Sequence, residues 1–197
     1  MTELEKQFDH HFKVICSSQF QKGSGLGNEV PFFISTFPPE KQIEADKLIK
    51  ILKQRLQQNG TKVTLINLFE LCIKLLEQDG VLEEYLKLEQ TKHKTEFQQI
   101  LNAELDVETK LAPVISMYLE GDETLLFITG VGAVYPVVRT HTILTNLQSL
   151  RREQPTLLFF PGKYNHKNGA GSALDLFGKL NEDRYYRAFN LNQYQIG

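Results

Sequence analysis

Residues 124–129 read Thr-Leu-Leu-Phe-Ile-Thr, a near-continuous apolar run. A strand of that composition fits burial on both faces, the condition of a central strand in a parallel sheet. The flanking rhythm agrees. Residues 30–34 (Val-Pro-Phe-Phe-Ile) predict a short strand, with Pro31 at its beginning or on an edge because it has no N–H to donate. Pro38-Pro39 opens a helix striped by Ile43, Leu48, Ile51, Leu52 and Leu56 and stopped at Asn59-Gly60. Residues 62–67 (Lys-Val-Thr-Leu-Ile-Asn) predict the next strand. Strand, helix, strand in that order favours parallel pairing through right-handed crossovers. Leu4, Phe8, Phe12 and Ile15 add an amphipathic first helix over about residues 2–20. After residue 129 the pattern is a glycine turn, a helix over about 137–150 and a strand at 156–160. The tail from 161 reads as loop-rich as far as residues 174–180, with residues 185–189 as a candidate last strand.

Residues 68–120 interrupt this rhythm with helical patterns at 68–78 and 81–89 and one or two more between 95 and 120. The expected fold is therefore α/β, an open, mostly parallel sheet of four or five strands flanked by helices. One domain spans residues 1–197, with an acidic helical insertion at about 68–120. Residues 70–123 hold 5 basic and 13 acidic side chains, whereas residues 124–197 hold 8 basic and 4 acidic. The insertion is either a solvated acidic face or a docking surface for a basic partner. A total of -2 argues against a nucleic-acid binder, which needs clustered cations to replace counterions. No apolar run approaches the ~18 residues of a membrane helix. Met1-Thr2-Glu3-Leu4-Glu5 has no cationic start, and Cys16 and Cys72 fall in apolar helical patterns. A cytoplasmic location follows as an expectation.

Chemistry in such sheets gathers beyond the carboxyl ends of the strands, here residues 35–37, Asn67, 129–136 and 161–168. Gly130 and Gly132, with Tyr135 after them, form a turn into a helix start that either receives an anion on backbone N–H groups or simply packs tightly. A third glycine for a dinucleotide fingerprint is missing, and no Gly-x4-Gly-Lys-[Ser/Thr] occurs. Residues 23–28 (Gly-Ser-Gly-Leu-Gly-Asn) precede a strand, the wrong side for a phosphate cradle. Arg139, His141, Lys163, Tyr164 and His166 are a candidate cationic cluster for a phosphate or carboxylate, the alternative being that Arg139 and His141 cap local carbonyls. His10 and His11 are adjacent, so they point about 100° apart on a helix and cannot chelate one ion. No nucleophile elbow or Cys–His signature appears, so neither catalysis nor a metal or cofactor is expected.

Several blocks in order carry a resemblance: residues 25–34, Ile128 to Pro136 around Gly130-Val131-Gly132, Arg139-Thr140-His141, Asn146-Leu147-Gln148, residues 154–164, residues 174–178 and residues 185–189. Together they resemble the BrxB family of bacteriophage-exclusion (BREX) defence systems over nearly the whole chain. The resemblance implies a bacterial, cytoplasmic, non-catalytic adaptor encoded with a DNA methyltransferase, a large ATPase and PglZ, a protein of the alkaline-phosphatase superfamily. PglZ and other BREX subunits are the implied partners. The turn at Gly130, Gly132 and Tyr135 and the segment around Lys163 and Tyr164 transfer as candidate binding surfaces only. A nucleotide- or phosphate-binding regulator is the alternative, and a nucleic-acid-binding accessory protein ranks third.

Overall fold

The computed structural model describes residues 1–21, 32–118, 124–149, 155–167, 171–177, 180–182 and 188–195. The glycine-rich stretch 23–28, Val30, Pro31 and residues 185–187 lie outside them.

Helix α1 (Glu3–Ile15) starts at a capping box, in which Thr2 accepts from the Glu5 N–H and Glu5 accepts from the Thr2 N–H. Its buried side chains are Leu4, Phe8, His11, Val14 and Ile15. Leu4, Phe8 and Ile15 of the predicted stripe are thus buried. His11 goes inside, and Phe12 lies at the edge under the Arg55 guanidinium, 4.1 Å from the ring centre. The short α2 (Ser18–Gln21) follows, then β1 (Phe32–Phe37). A 3₁₀ turn at Pro39–Lys41 leads into α3 (Gln42–Gln58). This helix buries Ala45, Ile49, Leu52 and Leu56. Ile43 and Ile51, placed in the stripe from sequence, instead face solvent.

Strand β2 (Lys62–Asn67) and helix α4 (Leu68–Gln78) have the predicted bounds. The helical stretch continues as α5 (Leu82–Thr91), α6 (Lys94–Glu104), a π-turn at Val107–Leu111 and α7 (Ala112–Met117). Neither α5 nor α6 has a fully buried residue. The pair is anchored at its base, where the Lys110 ammonium lies 2.5 Å from carboxylate oxygens of both Glu104 and Asp79. The Tyr85 hydroxyl donates to Glu104 as well, at 3.1 Å.

Strand β3 (Thr124–Thr129) matches its prediction, and α8 (Val131–Val134) follows at once. The helix predicted at 137–150 begins later, as α9 (Thr140–Ser149). Tyr135 before Pro136 is extended (φ -69, ψ 139) and ends α8. Strand β4 runs from Thr156 to Lys167, then β5 (Gly171–Leu176), β6 (Leu180–Glu182) and β7 (Phe189–Asn190) complete the chain with a 3₁₀ turn at Leu191–Gln193.

The strand order is β2-β3-β4-β1-β7, and every adjacent pair is parallel. The connection from β1 to β2 crosses the sheet one way, and those from β2 to β3 to β4 step back. Right-handed crossovers in opposite directions fall on opposite faces. Accordingly α1 and α3 cover one face with Phe33, Phe37, Val63, Phe127 and Phe159. On the other face α4, α7 and α9 pack on Phe32, Ile34, Ile66, Ile128, Leu158 and Phe160. The alternation along each strand is the period of two that a doubly covered sheet demands.

One expectation is overturned. Residues 161–167, read as a loop, continue β4 into an antiparallel ladder with β5, pairing Gly162 with Leu176 and Tyr164 with Leu174. Pro161-Gly162 reads as a turn, yet the glycine is there for close approach. A Cβ on Gly162 would collide with the Asp175 carbonyl oxygen and lie 2.8 Å from the Phe160 ring. Residues 174–176 are likewise part of this ladder.

Candidate functional site

The loop leaving β1 turns to α3 on one face, and the loop leaving β3 turns to α8 and α9 on the other. Between them the carboxyl ends of the strands open a crevice, the place where open α/β sheets hold ligands. A cavity of about 260 Å³ occupies it. Its walls are Phe37, Pro39, Gln42 and Ile49 on one side and Thr129 to Ala133 on the other, with Phe159 and Pro161 at the floor and Phe177 across the mouth.

Gly130 closes β3 with φ +77, a left-handed conformation that only glycine adopts without strain. It abuts Asn67, whose side-chain oxygen caps α4 by accepting from the N–H groups of Phe69 (3.0 Å) and Glu70 (3.4 Å). Gly132 is matched to an aromatic ring. A Cβ there would lie 2.9 Å from Phe177 Cζ and 3.1 Å from Pro161 Cγ. Phe177 is itself left-handed (φ 54), and its N–H donates to the Pro161 carbonyl at 3.0 Å. The ring thus packs directly against the turn at Gly132.

The remaining predicted site residues do not line this cavity. Tyr135 is half-buried against the core. Arg139 is exposed, and its carbonyl receives the N–H groups of Thr142 (3.1 Å) and Ile143 (3.2 Å) at the start of α9. His141 lies on that first turn with Nε2 3.1 Å from the Thr142 hydroxyl. Lys163 and Tyr164 are successive residues of β4, so they point to opposite sides. Lys163 is exposed, opposite Asp175 in the ladder. Tyr164 packs on the core and donates its hydroxyl to the Ala188 carbonyl at 2.7 Å. The side chain of His166 lies outside the described residues. Tyr164→Phe should cost about 1 kcal/mol in chemical denaturation, because it leaves a half-buried carbonyl without its donor. An unchanged midpoint would show that the hydroxyl does not hold the C-terminal segment.

What the crevice can do chemically follows from its walls. Among the described residues that line it none is titratable, and Gln42 and Thr129 are the polar ones. The Thr129 hydroxyl already donates to the Ile66 carbonyl (3.4 Å). The described part of this lining suits an apolar group. Burial pushes the Cys72 thiol up to about 11 and raises that of Cys16, which disfavours the thiolate at both. Among the described residues no group of His, Cys, Asp and Glu could hold a metal. None of the described helices is long and apolar enough to cross a membrane.

A second cavity, about 640 Å³, lies between the first turns of α1 and the start of α3. Its rim charges are paired, Lys6 with Glu3 (2.7 Å) and Lys41 with Glu44 (3.2 Å). Beside it runs a polar network that sequence reasoning missed. The Asn192 amide donates to Thr36 O (2.9 Å) and Oγ1 (3.1 Å), while its oxygen faces Gln7 Nε2 and His11 Nε2, each at 3.2 Å. Gln7 also donates to Thr36 O at 2.9 Å. The only sequence signal for it was His11 itself, a polar residue three positions after Phe8 and four before Ile15, on the inward stripe.

Comparison with known proteins fits this fold to a family. The family model described as BREX protein BrxB matches residues 64–191. A BREX protein BrxB of Bacillus cereus (strain H3081.97) is 32% identical over 197 residues, 97% of this chain and 98% of that protein. A BREX protein BrxB of Escherichia coli O9:H4 (strain HS) is 28% identical over 178 residues, 90% of this chain and 86% of that protein. No solved structure matches the chain significantly. The matched residues take in β3, the Gly130 turn, α9 and the β4–β5 ladder, so the chain belongs to the BrxB family of BREX proteins.

Proposed function

We propose that this chain is a non-catalytic adaptor of a BREX bacteriophage-defence complex and docks a PglZ-type protein of the alkaline-phosphatase superfamily in the cytoplasm. The observation that carries the reading is the state of the crevice. Where this architecture ordinarily holds a ligand, the described walls are mostly apolar, no titratable group is among the described lining residues, and Phe177 packs beside Gly132. What remains on offer is surface, and family membership supplies the company in which that surface works. The reading predicts that the chain co-elutes with its PglZ-type protein as one species heavier than either alone in size exclusion with light scattering. Separate elution from PglZ and from every other subunit of the operon would overturn it. A nucleotide- or phosphate-binding regulator would need Arg139 and Lys163 at the crevice, and neither lines it.

A further inference from the structure

Helix α3 presents an outer face that the fold does not use. Ile43 is 75% and Ile51 49% exposed, while the inner stripe of Ala45, Ile49, Leu52 and Leu56 is buried. At 100° per residue the two isoleucines lie about 80° apart on the helix surface, with Lys47 and Lys50 in the sector around them. A β-branched residue in a solvent-facing helical position is poorer than Lys or Gln in helix propensity, so intrinsic helix stability does not call for isoleucine there. Lys47, Lys50 and Lys53 make no ion pair among the described residues. Two of the nearby carboxylates are engaged, while Glu40 is exposed at the head of the helix. Glu44 is held by Lys41 and the Thr2 hydroxyl, and Asp46 by the Gln42 amide. The face also begins beside the crevice, since Pro39 and Gln42 at the head of α3 are among the crevice walls.

We infer that this face docks an acidic amphipathic segment of a partner protein. Its apolar side chains cover Ile43 and Ile51, and its carboxylates meet Lys47, Lys50 and Lys53. A second copy of this chain suits the face poorly. Two α3 helices packed antiparallel about their middle would bring Lys47 against its own copy, and like charges facing across an interface oppose pairing. The inference rests on the adaptor reading and names the chemistry of the docked partner.

The test co-expresses the affinity-tagged full chain with the other BREX subunits and compares three forms: wild type, Ile43→Ser/Ile51→Ser, and Lys47→Glu/Lys50→Glu/Lys53→Glu. Ile43, Lys47, Lys50 and Ile51 are exposed on the outer side of α3 and Lys53 is half-buried on its flank, so the isoleucine variant should keep the wild-type melting temperature. Should the triple variant fail to fold, the isoleucine pair and a single Lys47→Glu keep the test open. The expected result is that recovery of the partner subunit falls at least about tenfold in both variants, a loss of about 1.4 kcal/mol of binding. Wild-type recovery should also fall as salt rises. Undiminished recovery by folded variants would overturn the inference and leave the adaptor reading standing. Absence of any partner with the wild type would remove both. A wild-type dimer that the variants break would make a second copy the occupant and refute the acidic partner.

Discussion

Gly130→Val is expected to destabilise the fold by about 3 kcal/mol. Two separate effects make up that figure. A side chain at φ +77 forces the left-handed region, at roughly 1–2 kcal/mol for a residue with a Cβ. That Cβ also enters the space of the Asn67 side chain, lying 3.1 Å from its Cγ and 3.2 Å from the Leu68 nitrogen. Asn67 must then give up capping α4, and loss of an N-cap costs about 1 kcal/mol. A double-mutant cycle separates the two. Asn67→Gly costs only a few tenths of a kcal/mol at a cap and clears the collision, so Gly130→Ala should cost about 1 kcal/mol less in the Asn67→Gly background than alone. Urea denaturation of the four proteins measures it. Strictly additive effects would show that the turn does not lean on the cap. A Gly130→Ala variant of unchanged stability would instead mean that this glycine serves a bound molecule and not the fold.

The same turn shows what sequence can carry. Gly130 was legible as a tight turn because an apolar run stops there and a helix begins. Which groups surround the turn was not, because Phe177, 45 positions after Gly132, arrives along a ladder that begins in residues read as loop. Strands β2 and β3 and helix α4 were legible to the residue. Their strands are covered on both faces, and Asn67 and Asp79-Gly80 mark the helix ends in residues that favour caps and left-handed turns. The stripe of α3 was read too wide. Isoleucine counts as a core residue in any periodicity argument, and only the position of α1 and the sheet shows that Ile43 and Ile51 have nothing to pack on. Arg139, His141, Lys163 and Tyr164 stay out of the crevice lining for a different reason. Proximity in the chain to the sheet's carboxyl end says nothing about which way a strand residue points, and β4 alternates Lys163 outward and Tyr164 inward.

The histidine inside α1 leads to the last expectation, a loss of stability between pH 6.5 and 5 that His11→Leu abolishes. His11 is fully buried, with its ring 5.4 Å from that of Phe8. Because the Asn192 amide nitrogen donates to Thr36, its oxygen is an acceptor, so His11 Nε2 carries the hydrogen it donates there. That leaves Nδ1 with a lone pair and no partner. Protonation would bury a charge and a donor with nothing to receive it. Burial therefore holds the imidazole down to about 3, against the pull of the Asn192 hydrogen bond and with a small push from neighbouring His10. In the unfolded chain the same group titrates near 6.5. The folded value is the depressed one, so His11's contribution is fully present above about pH 6.5. It is lost as pH falls toward 3, because across that window only the unfolded state takes up the proton. The slope approaches about 1.4 kcal/mol per pH unit, or about 2 kcal/mol by pH 5. The carboxylates held low in the fold, Asp9, Glu44, Glu104 and Asp106, start from ordinary values of 3.8 to 4.5. Their loss falls below that range, which leaves the upper window, among the described groups held away from their ordinary values, to His11. His11→Leu keeps an apolar side chain at the position, and the Asn192 oxygen retains Gln7. Denaturation midpoints of the variant should stay level from pH 6.5 to 5 while those of the wild type decline. Parallel declines in both proteins would mean that His11 is charged in the fold, and the buried neutral imidazole would have to be given up.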